Sequence, residues 1–173
     1  GLGNQGNPFR GVIVGNLRGS SQSTTQATIK INNSKDTSTL AGLIPYSYGS
    51  VVSNLNIEYS GKVVSIAHKK VDTSGVPGAF FGGVIGCIMG GDNIIDGVSV
   101  NASDGFSVAG AAGDNGGAHL VPTGGYVGAI TGGGVIFRNS SNVSGALNAW
   151  HDKGGSLYDN PYVGRVIDGY AFS

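Results

Sequence analysis

The chain has 173 residues, the length of one domain, with 33 glycines, ten Lys and Arg against ten Asp and Glu, and a formal net charge of zero at pH 7. Zero net charge argues against nucleic acid or an anionic membrane surface as the main partner, since both select a basic excess. Glycine is not at every third position, which excludes collagen, and the 39 % of hydrophobic residues fall in patterned clusters, which excludes a fully disordered chain.

Val and Ile total 31 against 8 Leu, and 19 Ser and 14 Asn supply turn formers. β-branched side chains suit pleated strands and are stiff in helices, so the predicted class is all-β. In chain order, the first strand opens within Asn7-Pro8-Phe9-Arg10-Gly11-Val12-Ile13-Val14-Gly15-Asn16. A unit of small residue, glycine and aliphatics follows at Leu40-Ala41-Gly42-Leu43-Ile44-Pro45-Tyr46. It is succeeded after Gly49 by a strand over 51–57, where Leu55 and Ile57 alternate with polar neighbours. A short strand fits 63–67. The unit returns at Phe81-Gly82-Gly83-Val84-Ile85-Gly86-Cys87-Ile88, followed by a strand over 94–100 and a short one over 105–109. It returns again at Gly124-Gly125-Tyr126-Val127-Gly128-Ala129-Ile130, followed by 135–143, and a last time at Asn160-Pro161-Tyr162-Val163-Gly164-Arg165-Val166-Ile167. One window, 144–153, is compatible with a short helix.

Aligning Gly42, Gly83, Gly125 and Pro161 gives spacings of 41, 42 and 36 residues. Three strands bent at small residues, then a return to the same register, predict the turn of a parallel β-helix with Gly-rich corners and long loop inserts. Val84, Ile85, Ile88, Val98, Val100, Val127, Ile130 and Val143 are expected to point inward. Gly83, Gly125 and Gly132 to Gly134 are expected at corners, with close backbone approach or positive φ at several.

The unit Ala41-Gly42-Leu43-Ile44-Pro45-Tyr46, with Gly49 and then Ser53-Asn54-Leu55-Asn56-Ile57, resembles the GLUG-type repeat. The segment from Asn7 to Asn16 resembles the stretch that precedes such repeats, and Pro161 to Val166 their continuation. The resemblance runs from about residue 7 to the end. It departs at Pro45, where glycine is common, and in the inserts 102–124 and 144–160. It implies a right-handed parallel β-helix belonging to a bacterial cell-surface protein, extracellular or attached to the cell wall. The span 1–173 is then a single β-helix domain, a segment of a larger surface protein. The start at Gly1 and the lack of a visible signal peptide are expected of a mature fragment or of an artificially cut one.

The chemistry-bearing residues are sparse. Polysaccharide-cleaving sites converge carboxylates with His, Arg or Lys. Here there is one glutamate, Glu58, and nine aspartates are spread singly, with no Asp-Asp pair, Gly-His-Gly or Arg-x-Lys in the sequence. No enzymatic activity and no cofactor are expected. His68, His119 and His151 lack metal-pair spacing. Gly90-Gly91-Asp92-Asn93 and Gly113-Asp114-Asn115-Gly116 resemble calcium turns without the repeated acidic ligands, so no metal is expected. Cys87 lies in an apolar run and reads as a small buried hydrophobe. No stretch is long and apolar enough for a membrane span. The segment around Trp150 holds the only tryptophan and gathers polar groups. Trp150, His151, Asp152 and Tyr158 form a candidate carbohydrate platform, because a pyranose ring has an apolar face and a polar rim; the alternative is a loop folded over the edge with Trp150 buried. The reading is therefore a non-catalytic structural or adhesive module, with a carbohydrate-binding or glycan-active β-helix as the alternative. Its partners would be neighbouring modules of the same polypeptide, other copies of the chain, or host and cell-wall glycans. Open strand edges at both ends are expected to need covering.

Overall fold

The computed structural model describes residues 2–15, 27–33, 42–61, 63–67, 80–102, 107–111, 120–140, 142–145, 148–151, 156–160 and 162–173. All regular structure among them is strand. Two strands come first, β1 (Val12–Val14) and β2 (Ala27–Asn33). A first pass follows, of β3 (Ile44–Tyr48), β4 (Val51–Gly61) and β5 (Val63–Ala67). A second contains β6 (Phe81–Gly82), β7 (Ile85–Gly90), β8 (Asp92–Ala102) and β9 (Ser107–Ala111). A third contains β10 (Leu120–Gly124), β11 (Val127–Ile130), β12 (Gly134–Arg138), β13 (Asn142–Gly145) and β14 (Asn148–His151). The last contains β15 (Ser156–Asn160), β16 (Val163–Val166) and β17 (Tyr170–Phe172).

The second and third passes each contribute to all four sheets in the same order, and the first and last passes to three of them. Sheet I is β3-β7-β11-β16. Sheet II is β1-β4-β8-β12-β17, with β2 on β4 and β13 on β8. Sheet III is β5-β9-β14 and sheet IV is β6-β10-β15. Every pairing between these strands is parallel. The register agrees with the alignment on Gly42, Gly83 and Gly125: Ile44 faces Ile85, Ile85 faces Val127, and Val127 faces Val163.

Like residues therefore stand in columns. Ile44, Ile85 and Val127 form one, Val52, Ile95 and Phe137 another, and Leu55 with Val98 and Ile57 with Val100 two more, all buried in one cluster. Seven of the eight positions expected inward are buried, from Val84 to Ile130; the side chain of Val143 lies outside the described residues. The central strands of sheet I, β7 and β11, are buried on both faces apart from the half-buried Met89, as parallel strands usually are. On the side away from the main cluster Cys87 and Ala129 are buried with Phe80, beside Tyr46 and Met89 of the same sheet. Two tyrosines brace the interior: the Tyr59 hydroxyl donates to the Gly83 carbonyl at 2.6 Å, and that of Tyr126 to the Val98 carbonyl at 2.8 Å.

The corner between sheets I and II is a column of left-handed glycines, Gly49, Gly91, Gly133 and Gly169, with φ of 73°, 72°, 64° and 121°. A Cβ on Gly133 would lie 2.3 Å from the Gly91 carbonyl oxygen, so neither the dihedral nor the spacing admits a side chain. The corner expectation holds there, and also at Gly83, where a Cβ would lie 2.2 Å from the Gly125 carbonyl oxygen.

Three expectations are corrected. Each full pass has a fourth strand, in sheet IV, beyond the three expected. The window 144–153 is not helical where it is described: 144–145 lies in β13 and 148–151 in β14. The inserts 102–124 and 144–160 are not plain loops: beyond the short strand expected over 105–109, which β9 overlaps, β10, β14 and β15 fall inside them and pair in register.

Candidate functional site

Trp150 and His151 lie on β14, where their backbones face Ala109 and Gly110 of β9. Tyr158 lies on β15 and faces Pro122 of β10. The backbones of these three belong to parallel ladders in adjacent passes rather than to a free loop. Their side chains, and the whole of Asp152, lie outside the described residues, as do His68, His119 and the turn 113–116.

The other singled-out groups have structural surroundings. Asn93 is fully buried, and its amide is saturated. The Ser47 hydroxyl at 2.7 Å and the Ser50 N–H at 2.9 Å donate to its Oδ1. Its Nδ2 donates to the carbonyls of Gly90 at 3.1 Å and Gly134 at 2.9 Å. The turn 90–93 thus joins three passes through a side chain whose hydrogen-bonding capacity is filled. Its neighbour Asp92 is exposed and accepts the Tyr170 hydroxyl, and the carboxylate holds that phenol above its ordinary value. Asp96 accepts from the Asn139 amide at 3.1 Å. Burial pushes the Cys87 thiol up to about 11, the reverse of what a reactive cysteine needs. Among the described residues no three His, Cys, Asp or Glu come together as a metal-binding group.

The arrangement open to a partner is the edge formed by the last pass. Among the described residues β16 pairs only with β11, and β17 only with β12, so each leaves one backbone edge unmatched. Between them lies a hollow of about 290 Å3 lined by Phe137, Tyr162, Val163, Ala171, Phe172 and Ser173. Aromatic rings build its floor. Tyr162 stacks on Tyr126 at 5.9 Å and meets Phe137 edge-on at 5.5 Å, while Tyr170 stacks on Phe172 at 5.3 Å. Tyr162 is held there because its carbonyl accepts from the N–H groups of Tyr126 and Val127, which fixes it over the third pass. Such a surface can take an apolar or planar group on the rings and a strand along the backbone edge. The sequence points to Trp150 and not to this cluster. Its signal was the run of Tyr162, Tyr170 and Phe172 within the last twelve residues.

Comparison of the chain with protein-family models, with curated proteins and with solved structures gave no match in any of the three. The class that fold and site define is an all-β protein of parallel sheets laid down in repeated passes.

Proposed function

We propose that the chain is a right-handed parallel β-helix segment, a non-catalytic structural or adhesive module of a larger bacterial surface protein, extracellular or attached to the cell wall. The observation that carries this reading is the cyclic order of the passes. The chain adds strands to sheets I, II, III and IV in turn, with like residues in columns, which is how a solenoid extends. The buried polar groups support it. Asn93, Tyr59, Tyr126 and Ser140 hold one pass to another, so their chemistry serves the frame. The GLUG-type resemblance of the Gly42 unit supplies the bacterial surface setting. A solenoid whose two edges are unmatched among the described residues is suited to be a rigid spacer between neighbouring modules.

The test is incubation of purified chain with pectin, alginate and other acidic glycans, reading reducing ends and unsaturated uronates. No turnover is expected. Turnover that disappears in Asp92→Asn or Asp96→Asn would overturn the non-catalytic reading. Carbohydrate binding is the competing reading. It draws on the ladder positions of Trp150 and His151 on adjacent residues of β14, with Tyr158 on the strand that follows. A glycan array with wild type and Trp150→Ala separates the two: a signal lost in the variant selects binding.

A further inference from the structure

The exposed large hydrophobic side chains among the described residues are not scattered. Leu2, Val12 and Val14 lie on the edge that carries β1, and Tyr162, Val166, Ile167 and Phe172 on the edge that carries β17; Tyr48, on β3, lies beside the first of these, with the Arg10 guanidinium stacked on its ring at 4.1 Å. The two most exposed are Val12 at 65 % and Phe172 at 63 %. They belong to one column. Val12 faces Val51, Val51 faces Ile94, Ile94 faces Ile136, and Ile136 faces Phe172. A second column runs from Phe9 through Ser47, Ile88 and Ile130 to the exposed Val166. Both ends of sheet II have an unmatched backbone edge among the described residues, and all its strands run the same way. The corner between sheets I and II carries exposed Arg10 on one edge and exposed Asp168 on the other.

Parallel direction, matched columns and opposite charge are what one edge needs to receive the other. We propose that a second copy of this chain docks head to tail on the first, its β1 continuing sheet II beyond β17. Val12 of one copy then sits over Phe172 of the next, Phe9 over Val166, and Arg10 beside Asp168. Each step uses a different surface on the two partners, so the contact does not close on itself and the assembly grows as a filament. This rests on the stacked-pass reading above, because the docked copy takes the place of one more pass.

Light scattering and sedimentation of the whole chain over a concentration series test it. The mean mass of the wild type is expected to rise with concentration and without a dimer plateau. Phe172→Lys spoils one edge and Val12→Lys the other, so each variant alone is expected to stay monomeric, with association weakened at least tenfold. Mixed in equal amounts, the two retain one good edge each. They are expected to pair and stop at twice the monomer mass. A wild type that stays monomeric, a single variant that still associates, or a mixture that stays monomeric would each overturn the proposal. Where either variant loses its circular dichroism, Val166→Lys and Val14→Lys repeat the test on the same two edges. Hydrogen exchange separates this failure from that of the underlying reading. Protected amides in β7, β8 and β11 of a monomeric wild type sink head-to-tail docking and leave the stacked passes standing. Unprotected ones sink both.

Discussion

A buried amide whose four hydrogen-bonding positions are all used is costly to remove, because each partner left behind is as buried as the amide was. Asn93→Ala strips partners from the Ser47 hydroxyl, the Ser50 N–H and the carbonyls of Gly90 and Gly134 at once. The expected loss is about 2–4 kcal/mol, read by urea unfolding; a loss below about 0.5 kcal/mol would mean that water replaces the side chain. Cys87 gives the residue scale its pH dependence. Its thiol is raised by burial from 9.0 to about 11. Well below pH 9.0 the thiol is neutral in both states. Between there and about 11 the unfolded chain gives up its proton while the folded chain keeps it, so stability falls as pH rises. Tyr59, raised by burial from 10.0, adds a loss that begins above pH 10.0 and overlaps that window. The Cys87 share is therefore the difference between wild type and Cys87→Ala. That difference should change between pH 9 and 11 and stay flat between pH 6 and 8. A maleimide should label the native protein slowly at pH 8 and quickly in denaturant.

At the scale of the strand, a single left-handed residue resets the side-chain alternation of sheet II. In β4 the buried position before it is Val52 and those after it are Leu55, Ile57 and Tyr59, so the inward face changes from even to odd numbers. Asn54 stands at the change with φ of 53°. In β8 Asn93 and Ile95 give way to Val98, Val100 and Ala102 across Gly97, φ 64°, and beyond β12 Phe137 gives way to Ser140 across Asn139, φ 49°. The Ser140 hydroxyl then accepts the Val98 N–H at 3.0 Å, stitching the bend to the pass beside it. Asparagine and glycine are the residues that visit this region most readily. Gly97→Asn should therefore match its column neighbours and change stability by less than about 0.5 kcal/mol, whereas Gly97→Val should cost about 2 kcal/mol. Thermal unfolding of the pair checks it, and equal effects would remove the basis for the bend.

The same strands mark how much the sequence made legible. The units at Gly42, Gly83 and Gly125 could be superimposed because each begins a strand of sheet I with the same small-aliphatic pattern. Sheet IV could not be seen, because Leu120-Val121-Pro122-Thr123-Gly124 and Ser156-Leu157-Tyr158-Asp159-Asn160 show neither alternation nor a shared motif; they become strands by lying beside one another. The aromatic hollow is hidden for a related reason. Phe137 is 25 residues before Tyr162, and only the return of the chain to sheets I and II brings them within 5.5 Å.

For the whole molecule, apolar columns and backbone ladders carry the stability, and charge carries little of it. The ion pair found among the described residues, Lys30 with Glu58, spans 4.0 Å with side chains 78 % and 40 % exposed. Contacts of that kind contribute under about 1 kcal/mol and are screened by salt. Raising sodium chloride to about 0.5 M should move the thermal midpoint by no more than about 2 °C. A drop beyond about 5 °C would point to an electrostatic contribution that the ladders do not contain. Zero net charge has a separate effect. It leaves no long-range repulsion to oppose contact between strand edges, so solubility should be lowest near pH 7.

The two tyrosine braces have a mechanical meaning. Tyr59 ties the first pass to the second at Gly83, and Tyr126 ties the third to the second at Val98. Tension applied through the termini along the stacking direction would load the ladders between passes one after another, as a zipper is opened. The outer passes would peel first, since each is held from one side only. The second pass is fastened from above and below, by hydroxyls whose bonds lie inside the core, and would be the last to yield. That order leaves a folded kernel about which the peeled strands can wind back once the pull is released.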